Sequence, residues 1–238
     1  MTTGAGAIDA AEIGVMGGTF DPIHLGHLAV AEEARESLGL DRILFVPAGR
    51  PPHKPAGTVT DAEDRVAMVA LAISDNPAFE LSRIEVDRPG LSWTVDTVAA
   101  LAAELGAHLP ADRGSRRLTV ILSAETFADL PTWRDPRRLL ELARVAVTPR
   151  IDFAVPSRAA MAARFPGLED RVVFLEGPRL GVSSTAIRAR VATGRSIRYL
   201  VPPAVAAYIA DHGLYRTESP ASGPEPIEST TSWRTMRT

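Results

Sequence analysis

The chain contains no cysteine. That excludes disulfides, thiolate zinc sites and a cysteine nucleophile, and leaves no mark of an oxidising compartment, so cytoplasm is the default. Positive charge is not in excess either. A formal net charge of −3 argues against a general nucleic-acid binder, which needs a cationic surface to displace counterions. No apolar run is long enough to span a bilayer, and residues 1–11 lack a basic region followed by an apolar stretch, so no membrane association is expected. The sequence carries neither GxGxxG nor GxxxxGK[ST], and dehydrogenase and P-loop ATPase readings lose their main support. No internal repeat is apparent.

What is present is a globular composition, 45% hydrophobic and 23% charged over 238 residues, enough to bury a full core in one domain. Ile13-Gly14-Val15-Met16 reads as a buried strand running into Gly17-Gly18, followed by a helix over 28–38 and a strand over 42–46. Thr60 and Glu63 have capping-box spacing ahead of Val66, Val69, Ala70 and Ile73, which predicts a helix there. Val95, Val98, Ala99, Ala102 and Leu105 repeat the helical spacing. Apolar runs at 79–86, 118–122, 145–148 and 172–175 predict further strands. The alternation predicts an α/β fold, a Rossmann-like doubly wound parallel sheet. A small C-terminal helical extension follows, with one helix capped by Ser183 or Ser184 and another over 203–212. The boundaries expected are a flexible leader at 1–11, the domain at 12–216 with its helical part at 182–216, and a disordered tail at 217–238, rich in Ser, Thr, Pro and Glu.

Glycines at the end of a first strand, followed by a helix, are where open α/β sheets place phosphates. His24 and His27, three residues apart at the start of that helix, fall on one face, with both rings toward the helix's N–H groups and toward solvent. Such a pair can bind a triphosphate and favour the charge that develops in phosphoryl transfer. A metal pair or a structural cap remain alternatives at this point. Far along the chain, Ser183-Ser184-Thr185 can cap a helix, with Arg188 one turn in. Hydroxyls, N–H groups and a forked cation make an anion site, and an ordinary cap with a solvent-facing arginine is the alternative.

The segment Gly17-Gly18-Thr19-Phe20-Asp21-Pro22-Ile23-His24-Leu25-Gly26-His27 resembles the HxGH nucleotidyltransferase superfamily, in the form found in nicotinate-mononucleotide adenylyltransferases. Val182-Ser183-Ser184-Thr185-Ala186-Ile187-Arg188 is similar to that family's second signature. Pro51-Pro52-His53-Lys54, Leu91-Ser92-Trp93-Thr94-Val95-Asp96-Thr97 and Leu130-Pro131-Thr132-Trp133 resemble its substrate segments, and the stretch from Tyr199 to Tyr215 resembles its ending. The likeness covers about residues 13 to 216. Two departures stand out: Ser123-Ala124-Glu125 where Gly-x-Asp is usual, and Trp93 where Tyr is usual.

The resemblance implies adenylyl transfer from ATP to nicotinate mononucleotide. His24, His27 and Arg188 would be catalytic. Gly17, Gly18, Thr19, Phe20, His27, Ser184, Thr185 and Arg188 would hold ATP, and His53, Lys54, Thr94, Glu125 and Trp133 the acceptor, with Trp133 stacked on the pyridine ring. Mg²⁺ would be carried mainly by the ATP phosphates, without a dedicated protein ligand. A nicotinamide-mononucleotide or phosphopantetheine acceptor, or a regulatory module without turnover, is the alternative, and a homo-oligomer is compatible with any of them.

Overall fold

The computed structural model describes residues 11–55, 57–106, 118–149 and 158–216. The expected leader up to residue 10 and the expected tail lie outside the described residues. Six strands form one parallel sheet, β1 (Ile13–Gly18), β2 (Arg42–Pro47), β3 (Phe79–Leu81), β4 (Leu118–Ser123), β5 (Arg144–Thr148) and β6 (Val172–Phe174), in the order β3-β2-β1-β4-β5-β6. That is the doubly wound order, which reverses direction between β1 and β4. Register there is Ile13 to Leu118 on one side and Ile13 to Arg42 on the other.

The period of two along each strand feeds two separate cores. Ile13, Val15, Val46, Val120, Leu122, Val145 and Val147 point to one face, under α3 (Thr94–Gly106), α4 (Ala124–Ala128), α5 (Pro136–Leu142) and α6 (Arg158–Arg164). Met16, Ile43, Phe45, Ile121 and Ala146 point to the other, under α1 (Leu25–Leu38), α2 (Ala62–Ile73), α7 (Ser184–Ala192) and α8 (Pro203–Asp211). Ile187, Val205 and Ile209 bring α7 and α8 into this second core. Each such side chain contributes about 1.5–3 kcal/mol by leaving water.

Three sequence expectations shift. The strand expected at 79–86 stops at Leu81, because Pro47 in its partner β2 has no N–H to carry the ladder on, and Asp87 N–H turns back to the Arg83 carbonyl. The cap of α2 is Asp61, whose carboxylate accepts from Glu63 N–H at 2.9 Å, not Thr60. Thr60 instead gives its N–H to Asp21 and its carbonyl to Arg65. The first helix begins at Leu25, which makes His24 its N-cap and His27 its third residue.

Candidate active site

The crevice at the carboxyl ends of β1 and β4 holds two cavities of about 300 Å³ and 260 Å³. Gly17, Gly18, Leu122 and Thr126 belong to the walls of both. A Cβ on Gly17 would meet nothing within 4 Å, so the strand end offers bare backbone to the opening. This is the place where a sheet of this order binds ligands.

The first cavity is lined by His24, Gly26, His27, Ser183 and Ser184 together with the two glycines. The chain enters it through Phe20, whose φ of 51° is left-handed and strained for a residue with a side chain. Phe20 is buried, and its ring meets His27 edge-on with centroids 5.1 Å apart. The imidazoles of His24 and His27 stack at 3.7 Å. His24 N–H donates to Nδ1 of His27 at 3.2 Å, which puts the proton of the neutral His27 ring on Nε2. Contrary to the solvent-facing expectation, His24 is only 6% exposed: its ring stacks on His27 and packs beside Gly26.

The two distant signatures are locked to each other. Ser183 caps α7 by accepting from Ala186 N–H at 3.2 Å. Ser184 Oγ then donates to the Pro22 carbonyl at 2.8 Å, and Arg188 Nη1 to the Asp21 carbonyl at 2.7 Å. The Asp21 carboxylate, 5% exposed, accepts from Tyr215 Oη at 2.7 Å and from Thr60 N–H at 3.3 Å. Burial, and then the Asp21 carboxylate itself, push the Tyr215 phenol well above its ordinary pKa, so it remains a donor.

Behind this loop lies Arg65, 2% exposed, donating to the carbonyls of Thr60 at 2.9 Å, Thr19 at 2.8 Å and Gly49 at 3.4 Å. One guanidinium therefore joins the loop after β1 to the loop after β2. Burial lowers its pKa, and the charges of Asp21 and Asp61 oppose that shift.

The second cavity is lined by Thr19, His53, Ser92, Trp93, Thr94, Trp133 and Arg134, and by the buried Glu85. Ser92 Oγ accepts from the N–H groups of Gly49 and Arg50 at 3.0 and 3.1 Å, fixing the loop that carries His53. Thr97 Oγ1 donates to the buried Glu85 carboxylate at 2.7 Å. Burial raises the Glu85 pKa, against the hydrogen bonds from Thr97 and Ser92. Trp133 ends the 3₁₀ turn Leu130–Thr132, and Trp93 sits edge-on to His53 at 6.5 Å.

Of the residues singled out from sequence, Gly17, Gly18, His24, His27 and Ser184 meet at the first cavity, and Thr19, His53, Thr94 and Trp133 at the second. Phe20, Lys54, Glu125, Thr185 and Arg188 line neither. Phe20 lies beneath His27, and Arg188 reaches the Asp21 carbonyl and the Thr185 hydroxyl. Lys54 and Glu125 are exposed. Thr126, one position beyond Glu125, is the wall residue, held by Ser123, whose hydroxyl caps α4. Sequence reasoning missed Thr126, Arg65, Glu85 and Arg134. Only Arg134 gave a signal, through its position next to Trp133.

A cytidylyltransferase-like family model matches residues 15–190. A protein of Roseiflexus sp. (strain RS-1) named "Probable nicotinate-nucleotide adenylyltransferase" is 51% identical over 88% of this chain and 100% of its own length. The chain belongs to the nicotinate-nucleotide adenylyltransferase family. A member from Thermomicrobium roseum is 44% identical over 86% of this chain and 92% of its own. The fold of the family recurs in the Plasmodium falciparum nicotinic acid mononucleotide adenylyltransferase complexed with NaAD, at TM-score 0.69 and 19% identity over 85% of this chain and 96% of that one. Among the described residues no helix is long and apolar enough to cross a membrane.

Proposed function

We propose that this protein transfers the adenylyl group of ATP to nicotinate mononucleotide in NAD biosynthesis, giving deamido-NAD and pyrophosphate. The observation that carries this reading is the pair of cavities sharing the Gly17-Gly18 wall, one lined by His24, His27, Ser183 and Ser184, the other by two tryptophans. A phosphate oxygen of the acceptor attacks the α-phosphorus of ATP, the bond from that phosphorus to the bridging oxygen breaks, and pyrophosphate leaves. No covalent enzyme intermediate is needed. Two anions must be held together against their repulsion, which is where positioned donors and cations act.

His24 and His27 at the N-terminus of α1, with Arg188, stabilise the charge on the transferred and leaving groups in this reading. Gly17, Gly18, Thr19, Phe20, Ser184 and Thr185 hold ATP through backbone and hydroxyl groups. Trp133 stacks on the pyridine ring, Thr94 and His53 line its cavity, and Lys54 and Glu125 reach the acceptor from the rim. The family commonly uses a divalent metal. Mg²⁺ would ride on the triphosphate, where it neutralises charge. No residue is assigned to it.

The test is pyrophosphate release by the full chain with ATP, Mg²⁺ and, in turn, nicotinate mononucleotide, nicotinamide mononucleotide and phosphopantetheine. Release with nicotinate mononucleotide above the others is expected. Preference for phosphopantetheine overturns the pyridine reading, and no release with any acceptor favours a regulatory module.

A further inference from the structure

Acceptor choice at the second cavity turns on charge. A pyridine ring between tryptophans gains the same stacking whether it bears a carboxylate or an amide. Among the residues lining this cavity, Glu85 is buried and takes a hydrogen bond from Thr97, so it supplies no charge opposite to that of a ring carboxylate. The opposite charge comes from Arg134, immediately after Trp133 and part of the same wall.

Arg134 is held from two sides. Its guanidinium lies 5.7 Å from the centroid of the Trp93 ring, and Nη1 pairs with Asp96 Oδ2 at 3.2 Å. Tryptophan offers the strongest face for such a cation, and Trp93 is one of the two departures from the family pattern noted above. The Asp96 contact occupies one edge of the fork. A guanidinium carries five N–H donors, so Nη2 and Nε can serve a second carboxylate while Asp96 keeps Nη1.

We infer that Arg134, stacked on Trp93 at the mouth of the tryptophan-lined cavity, is the specificity-determining cation that selects a pyridine nucleotide bearing a ring carboxylate over its carboxamide. This rests on the function proposed above. The ring carboxylate pairs with Arg134, and the acceptor phosphate lies toward the Gly17-Gly18 wall that both cavities share. A carboxamide meets the same fork with one weak acceptor and an NH₂ group facing N–H donors, which costs it the charge-assisted bond.

The experiment is steady-state kinetics of the full chain and of the Arg134→Ala, Arg134→Gln and Arg134→Lys variants with nicotinate and nicotinamide mononucleotides. Binding of each mononucleotide is also measured by calorimetry at low and high salt. In Arg134→Ala and Arg134→Gln the acid-to-amide ratio of kcat/KM falls about 10- to 100-fold, the range for one hydrogen bond to a charged group. Arg134→Lys recovers part of the ratio, and the extra salt dependence of acid binding over amide binding disappears in the alanine variant. A ratio unchanged in both uncharged variants overturns the inference while leaving the proposed reaction intact, as does a parent enzyme that uses acid and amide equally. A parent inactive with both pyridine nucleotides overturns the proposed reaction as well.

Discussion

The imidazole of His24 occupies the space that a side chain on Gly26 would need: a Cβ there would lie 3.0 Å from Nδ1 and 3.1 Å from Cε1 of the ring. The glycine between the two histidines is therefore a packing requirement of the first. Gly26→Ala forces the ring to move, although glycine to alanine in a helix ordinarily stabilises by about 0.5–1 kcal/mol. Turnover is expected to fall at least about tenfold, with thermal stability nearly unchanged. Full activity in the alanine variant would show that the ring position does not matter.

Replacing either histidine is expected to lower kcat by about 10²- to 10³-fold, the range for a lost transition-state donor. The stability effects should differ. His24→Ala removes a buried ring stacked on its neighbour and costs about 1–3 kcal/mol, whereas His27→Ala chiefly removes the acceptor of one backbone N–H, about 0.5–1.5 kcal/mol. Urea unfolding alongside kcat separates the two, and near-native turnover in either variant removes the phosphate role.

Arg65→Lys tests the clamp between the loops. An ammonium cannot span the carbonyls of Thr60, Thr19 and Gly49 that the guanidinium serves. Buried acceptors are left unsatisfied, at a cost of about 1–3 kcal/mol, and kcat drops as the walls of the two cavities lose register. A urea midpoint and kcat matching the parent would show the clamp to be dispensable.

Glu85 makes stability depend on pH. Its folded pKa is raised above 4.5, chiefly by burial, so between that value and the raised one the folded state binds more proton than the unfolded state. The contribution is present at low pH and is lost as pH rises through the folded pKa. The unfolding free energy of the parent minus that of Glu85→Gln should therefore decline from pH 4.5 upward. A difference that stays flat with pH would mean Glu85 does not titrate differently on folding.

Much of the fold was legible because it is local. Period-two and helical spacings, the glycines after β1 and the caps all lie within a few residues of one another, and strand and helix positions followed from them. The exceptions came from partners far away in the chain. Thr60 lost its cap role because Asp21 and Arg65 claim its backbone, and the third strand was cut short by a proline in its neighbour. Glu125 matched a motif position while Thr126 became the wall, because Ser123 caps α4 and sets which side of that turn faces the crevice.

By itself the sequence determined the family and its expected reaction, through residue types at fixed short spacings that carry phosphate chemistry wherever the backbone follows the same turns. Only the tertiary structure decided that Ser184 and Arg188 grip the carbonyls of Pro22 and Asp21, across 162 and 167 residues. It also decided that His24 is buried, that Arg65 ties two loops together, and that Arg134 stands on Trp93 at the mouth of a cavity. Those contacts depend on how the sheet brings separate loops to one crevice, and spacing along the chain does not encode that distance.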